Sequence, residues 1–147
     1  MKTLEIPITD LETIKKLIPH REPMVMVGSL LEFEDGKARV GFSISKDNLY
    51  VVNGEFSETG LIEHMAQAAA LYIGFKNHAE QENAKEGFIA SIKKLKLKEL
   101  PKVGQEIEPK VSIINEIMLK TTVKVSTFST GVEIANAQMN TVLKVDE

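Results

Sequence analysis

The fold of this chain is decided by residues 53–75, NGEFSETGLIEHMAQAAALYIGF, which contain its most apolar long segment. Within residues 60–75 the strongly polar residues are Glu63, His64 and Gln67. A helix on the surface of a protein carries a polar half, and this segment lacks one. We therefore predict a long helix that is largely enclosed by the rest of the chain.

One face of the predicted helix combines small residues with polar ones. Spacings of three and four residues place five positions on a single stripe: Gly60, Glu63, Gln67, Ala70 and Gly74. The small side chains that reduce the helix surface predict that a sheet packs closely around it: Ala66, Ala68, Ala69 and Ala70.

Two acids in the opening stretch are candidates for chemistry. Glu63 lies inside the predicted helix, and Glu55 lies just upstream, beside a glycine. A carboxylate enclosed by apolar side chains is costly, or its pKa rises and it stays protonated. A protonated acid near the first N–H groups of a helix is equipped for acid–base chemistry on a carbonyl substrate. The structural alternative is that Glu63 bonds Gln67 and fixes the packing.

The sequence predicts a packing role for His64 and no metal site for the histidines. His64 follows Glu63 directly, so its side chain points about 100° away around the helix. We predict that it is a core or interface histidine without a catalytic role. The three histidines, His20, His64 and His78, show no metal-ligand spacing. We expect no metal and no cofactor.

Length, composition and charge exclude several classes of protein. At 147 residues the chain is expected to form one domain over residues 1–147. Cysteine is absent, which excludes disulfides, thiolate metal sites and cysteine nucleophiles. A net charge of −3 argues against a nucleic-acid partner. Without a secretory signal or a run of roughly 18 apolar residues, we expect a cytoplasmic protein with no membrane association.

The rest of the sequence predicts antiparallel strands around this helix. Apolar runs at residues 24–33 and 38–44 flank Asp35-Gly36, a strong hairpin signal. The remaining predicted elements are a short helix at 11–17 capped by Asp10, a loop at 76–85, and strands at 88–98, 107–119, 121–128 and 132–145, with bulges near Lys93-Lys94 and Ala135. One long helix among antiparallel strands predicts the α+β class, with the helix packed on one face of the sheet.

Four segments together resemble the β-hydroxyacyl-[acyl-carrier-protein] dehydratases of fatty acid synthesis, which have the hotdog fold. They are LIPHREPM at residues 17–24, LIEHMAQAA at 61–69, LPKVGQ at 100–105 and the closing strand at 131–143. They follow the family's order over residues 17–143. The resemblance implies a long central helix wrapped by an antiparallel sheet of about five to six strands, usually paired as a dimer.

The resemblance also implies roles for individual residues. In these dehydratases a loop histidine takes the α-proton of the substrate, and an acid on the helix protonates the departing β-hydroxyl. The acid corresponds to Glu63 and the following glutamine to Gln67. Backbone N–H groups at the start of the helix, around Glu58 to Gly60, would polarise the thioester carbonyl. The residues expected to bind substrate are Gln67, Phe56, Gly60 and Glu58.

The loop that should carry the histidine departs from the family pattern. Its glycine-histidine-phenylalanine-proline sequence is here Gly54-Glu55-Phe56-Ser57, so Glu55 stands where the histidine is expected. Ser57, in the place of proline, predicts a helix N-cap. The distance from loop to helix is also shortened, close to that of the dehydratase-like subunits of aryl polyene pathways.

Three hypotheses therefore remain open. In the first, the chain is an active dehydratase in fatty acid or polyene-type biosynthesis, with Glu55 as base and Glu63 as acid; two close carboxylates can split their pKa values and serve both roles. In the second, it is an inactive subunit or paralogue that binds acyl chains or carrier protein. In the third, it is a hotdog acyl thioesterase in which a carboxylate activates water.

The three hypotheses share their expected partners. All imply an acyl thioester carried on acyl carrier protein or coenzyme A. All also fit a homodimer or a higher oligomer of dimers. The second adds a possible heterodimer with a homologue that has the histidine.

Overall fold

A computed structural model of the protein describes residues 4–79 and 87–143. Its elements follow the order helix, hairpin, small hairpin, long helix and four long strands. In chain order they are α1 (Leu11–Lys15), β1 (Ser29–Glu34), β2 (Lys37–Ser43), β3 (Val51–Val52), β4 (Glu55–Phe56), α2 (Glu58–Ala79), β5 (Gly87–Leu97), β6 (Glu106–Ile117), β7 (Lys120–Ser129) and β8 (Val132–Leu143).

Six strands form one sheet in the order β1-β2-β6-β7-β8-β5, with every neighbouring pair antiparallel. The predicted hairpin joins β1 to β2, where Glu34 pairs with Lys37. Gly36 in its turn has a φ of +102°, a conformation that glycine adopts without strain. The predicted α+β hotdog architecture, a long helix with a sheet of about five to six strands, is confirmed.

The long helix α2 provides the centre of the hydrophobic core. Its fully buried residues, with those of the sheet, make up one continuous cluster. Members of that cluster include Leu61, Met65, Ala68, Ala69 and Tyr72 from the helix, and Val40, Ile107, Val123, Val125 and Met139 from the strands. The prediction of a largely enclosed helix is confirmed.

Two predicted irregularities of the sheet are present. Strand β5 shifts its register against β8 between Lys93 and Lys96, and Lys94 there has a φ of +55°. On β8, Ala135 pairs with Thr127 whereas Glu133 pairs with Phe128, so the intervening residue is extra. These bulges explain the changes of apolar parity along both strands.

Several predicted boundaries are wrong. The helix α2 continues to Ala79, because Lys76 in its last turn is held by Glu116 and Asp35; residues 80–85 of the predicted loop lie outside the described residues. Strand β6 ends at Ile117 instead of residue 119, because Met118 has a φ of +56° and forms the turn to β7. Helix α1 ends at Lys15, two residues early.

The end of β6 carries an apolar residue that faces outward. Its register against β7 shifts between Ile113 and Asn115, which turns the following residues over. Ile117 is consequently 59% exposed.

The small hairpin β3–β4 was not predicted, although the sequence contains its signal. Val51 pairs with Phe56 and Val52 with Glu55, around the two-residue turn Asn53-Gly54. Both turn residues have positive φ, +53° and +79°, as a type I′ turn requires.

In the described part of the chain, no helix is long and apolar enough to cross a membrane.

Candidate active site

The stripe of small and polar residues on α2 faces the segment that precedes β1. A Cβ atom on Gly74 would lie 1.8 Å from the carbonyl oxygen of Leu17, so glycine alone permits this approach. At the other end of the stripe, a Cβ on Gly60 would lie 2.5 Å from the Cβ of Tyr50. At Gly74 the stripe therefore lies against the segment that precedes β1, whereas at Gly60 it lies against side chains of Tyr50 and Phe56.

Gln67 makes three hydrogen bonds, two of which join α2 to this segment. Its Oε1 accepts the backbone N–H of Met26 at 2.7 Å, and its Nε2 donates to the carbonyl of Met24 at 2.6 Å. The same Nε2 donates to Oε1 of Glu63 at 3.1 Å. Because Gln67 is fully buried, these bonds determine both the path of the segment and the orientation of the Glu63 carboxyl group.

His64 is a core residue, as predicted. Its ring is fully buried, stacks on Phe42 with centroids 5.2 Å apart, and bonds the carbonyl of Met26 through Nδ1. Burial lowers the pKa of His64 to about 4, against the opposing effect of the Met26 hydrogen bond. The neutral ring therefore donates from Nδ1, and it takes no part in the site around Glu63.

The titratable group that the structure places beside Glu63 is His20. Nε2 of His20 lies 3.9 Å from Oε1 of Glu63, and the two side chains are 26% and 33% exposed. Burial lowers the pKa of His20, an effect that the negative charge of Glu63 opposes and the positive charge of Arg21 reinforces. Glu63 is thus at an accessible edge of the helix, which differs from the enclosed position expected from the sequence.

The turn that carries His20 is held from within. Nη1 of Arg21 donates to the carbonyl of Ile18 at 3.0 Å and to that of His20 at 2.6 Å. No role was predicted for His20 from the sequence, although it lies in the LIPHREPM segment that carries the resemblance. Its distance of 43 positions from Glu63 concealed the pairing.

The other predicted site residues surround the start of α2. Glu55 is exposed on β4 and forms an isolated bridge with Lys102, so its role as a base stays a prediction. Phe56 is fully buried and packs against Phe42 and His64. Its ring therefore supports the helix start from inside the core.

Ser57 caps α2, as predicted. Its Oγ accepts the N–H of Gly60 at 3.2 Å, and Glu58 follows as an exposed acid in the first turn. The N–H of Gly60 is therefore occupied by the cap. Among residues 4–79 and 87–143, no group of three histidines and acids is arranged to hold a metal ion.

The arrangement around Glu63 has the components of a general acid–base site. A carboxyl group and an imidazole, both partly accessible, lie side by side at a separation slightly greater than a hydrogen bond. One can give a proton while the other accepts one. Gln67 restrains one carboxyl oxygen, which leaves Oε2 of Glu63 for a ligand.

Comparison with protein families and curated relatives gives a consistent result. A family model described as ApeP-like, ApeP dehydratase, matches residues 12–145. A 3-hydroxyacyl-[acyl-carrier-protein] dehydratase FabZ of Clostridium botulinum (strain Okra / Type B1) is 32% identical over 110 residues, which cover 71% of this chain and 74% of the relative. The protein of the same name from Halalkalibacterium halodurans is 34% identical over 110 residues, covering 71% and 76%.

Solved structures with a similar fold include dehydratases and thioesterases. A chain of the dehydratase heterocomplex ApeI:P from Xenorhabdus doucetiae has a TM-score of 0.85 at 16% identity, covering 90% of this chain and 91% of its own. A hypothetical thioesterase of Streptococcus pneumoniae TIGR4, crystallised with coenzyme A, has a TM-score of 0.63 at 12% identity, covering 80% and 86%. At these identities the matches establish the fold.

Proposed function

The chain belongs to the ApeP-like dehydratase family, and on that basis we propose that Glu63 is the acid with which it dehydrates β-hydroxyacyl thioesters. Its relation to the 3-hydroxyacyl-[acyl-carrier-protein] dehydratases makes it a dehydratase-like protein. The observation that carries the assignment of Glu63 is its carboxyl group, which is partly exposed and restrained on one side by Gln67.

The proposed step transfers one proton from Glu63. Its protonated carboxyl group gives that proton to the departing β-hydroxyl, which leaves as water while a base removes the α-proton. The electron pair of the α-C–H bond becomes the new double bond, so the product is an enoyl thioester. The hydrogen bond from Gln67 holds Oε1, and Oε2 of the acid faces the substrate.

The carrier and the assembly are part of the proposal. The curated relatives are named for substrates on acyl carrier protein, and the streptococcal structure contains coenzyme A. We propose that this chain accepts an acyl thioester on one of these two carriers. We also propose that it acts as a homodimer or higher oligomer, or in a heterodimer like the dehydratase heterocomplex whose fold it shares.

The test is an assay of the purified protein with β-hydroxybutyryl and crotonyl thioesters, on coenzyme A and on acyl carrier protein. Absorbance of the enoyl thioester follows dehydration and hydration, and a thiol reagent follows hydrolysis. We expect reversible dehydration that falls by 100-fold or more in Glu63→Gln. Glu34→Gln, an exposed acid at the end of β1, is the matched control and keeps the rate. A full rate in Glu63→Gln contradicts the role of Glu63, and thiol release without dehydration shows a thioesterase instead.

A second candidate function is that of a subunit without dehydratase activity. The observation that favours it is Glu55, an exposed acid at the loop position where the resembling enzymes have their histidine. Such a subunit would bind acyl chains or carrier protein and pair with a homologue that supplies the histidine. No turnover in any assay, together with retained binding of acyl carrier protein and of that homologue in sedimentation experiments, would support it.

A further inference from the structure

We propose that His20 is the base that removes the α-proton, so that the acid and the base of the site lie in one chain. This inference rests on the proposed dehydration with Glu63 as acid. In this proposal His20, not Glu55, is the base. The histidine that is missing from the loop is thus replaced by one that lies 43 residues before Glu63 in the sequence. The geometry around His20 supports it in three respects.

The first is the distance between the two groups. At 3.9 Å, Nε2 of His20 is too far from Oε1 of Glu63 for a direct hydrogen bond, yet it faces the same small region. The α-hydrogen and the β-oxygen of a hydroxyacyl thioester are attached to neighbouring carbons, so an acid and a base this close can reach both. Both side chains are partly exposed, so a substrate can approach them.

The second is the rigidity of the support. Arg21 holds the turn through the carbonyls of Ile18 and His20, and Gln67 holds the chain four residues further on at Met24. Gln67 also bonds Glu63, so the same side chain positions both members of the pair. A catalytic group held by neighbouring hydrogen bonds loses little freedom when the substrate binds.

The third is the state of the imidazole. Partial burial lowers the pKa of His20 below its ordinary value, which favours the neutral ring, the form that accepts a proton. Of the two groups that act on it, Arg21 disfavours the imidazolium, and Glu63 favours the imidazolium only when its carboxyl group is ionised, which it is not in the starting state of the proposed step. Nδ1 of His20 is buried and has no hydrogen-bond partner among the described residues, whereas Nε2 faces Glu63.

The proton balance of the proposed step closes within this pair. Nε2 of His20 takes the α-proton, the C–H electron pair forms the double bond, and the C–O bond breaks. Glu63 gives its proton to the leaving hydroxyl, which departs as water. The imidazolium and the carboxylate that result are neighbours, and transfer of one proton between them restores the starting state.

The experiment separates the base step from the overall reaction. Butyryl-coenzyme A has α-protons but no β-hydroxyl, so exchange of its α-protons in D2O, followed by NMR, requires the base and not the acid. We expect exchange with the wild-type protein, a loss of 100-fold or more in His20→Ala, and a rate within about threefold in Glu55→Gln. His78→Ala is the matched control and keeps the rate. Glu63→Gln keeps exchange while losing dehydration.

Chemical rescue excludes a purely structural effect of the substitution. Added imidazole restores exchange and dehydration in His20→Ala if His20 is the base, since a free imidazole can occupy the space and accept the proton. A rate in His20→Ala within threefold of wild type overturns the proposal, as does loss of exchange in Glu55→Gln alone. Absence of exchange with the wild-type protein also overturns it. Dehydration that persists in these cases leaves the proposed function intact.

Discussion

Two segments flank the start of α2, and they hold their candidate bases in different ways. The hairpin β3–β4 is organised by backbone bonds: Phe56 N–H to the Pro101 carbonyl at 2.8 Å, and Val103 N–H to the Gly54 carbonyl at 3.0 Å. Its acid, Glu55, is exposed. The segment from residue 17 to 26 is instead held by side chains of α2, and its histidine is half-buried beside Glu63.

The comparison teaches that position in the sequence does not decide which group serves a site. Glu55 occupies the loop where the resembling enzymes have their base, but its side chain is exposed to solvent. His20 comes from a remote part of the chain, and the hydrogen bonds of Gln67 bring that part against the helix. Four predictions test whether the two segments differ in the way described.

The largest effect is expected for Gln67→Leu. The leucine fills a similar volume but leaves the N–H of Met26 and the carbonyl of Met24 buried without their partners. At about 1–3 kcal/mol for each of these two unsatisfied groups, we expect a loss of about 2–6 kcal/mol in the free energy of unfolding, measured by urea denaturation. Gln138→Leu, on β8, is the matched control. Equal losses in both variants would show that Gln67 has no special part in holding the segment.

The next prediction concerns pH, because His64 holds the same segment at Met26. The pKa of His64 is about 4 in the folded state, against 6.5 as its ordinary value, so the unfolded chain binds the extra proton first. The contribution of neutral His64 to the free energy of unfolding is fully present above pH 6.5. It is lost as the pH decreases towards 4, by about 3 kcal/mol in total. His20, whose pKa is also lowered, adds a loss of the same sign.

Urea denaturation between pH 7.5 and 4.5 measures this dependence. Acids whose pKa is lowered in the folded state, such as Glu22 and Glu32, add a loss of the same sign only at the lower end of this range, where their unfolded forms begin to bind protons. His64→Gln should flatten the curve relative to wild type, whatever its effect on stability at pH 7.5. An unchanged slope in that variant would show that His64 does not cause the dependence.

A smaller effect is expected for Gly74→Ala. The added methyl group would contact the segment of residues 17–26 at Leu17. In an ordinary helix this change stabilises by about 1 kcal/mol, but here the new Cβ would meet the carbonyl oxygen of Leu17 at 1.8 Å. We expect a net loss on the order of 1–3 kcal/mol, seen as a lower urea midpoint. Gly60→Ala provides the comparison on the hairpin side, where the contacts are side-chain atoms of Tyr50 and Phe56 that can shift. A larger loss in Gly60→Ala would reverse the expected order.

The smallest effect is expected for Glu55→Gln, which removes an exposed charge at a position held by a backbone bridge to Lys102. Thermal unfolding should show no measurable change. Because folding is unaffected, any loss of dehydration in this variant would report on chemistry directly. A marked fall in Tm would mean that the hairpin depends on the Glu55 side chain.

The architecture was largely predictable, because it follows from local patterns. The apolar helix, the Asp35-Gly36 hairpin, and the bulges near Lys94 and Ala135 each have a signal within a few residues. The errors are at ends of elements, where Met118 adopts a turn conformation that its residue type does not indicate. The β3–β4 hairpin was not predicted, although its turn dipeptide Asn53-Gly54 is a clear hairpin signal, because its two strands are only two residues long.

The sequence by itself determined the long enclosed helix, the cap at Ser57 and the place of Glu63 beside Gln67, since these depend on residues within one or two turns of each other. The tertiary structure alone decided which groups surround that acid. His20 reaches Glu63 because Gln67 binds backbone 41 and 43 positions away, and because Gly74 lets Leu17 approach the helix. Contacts of that range leave no periodic trace in a single sequence.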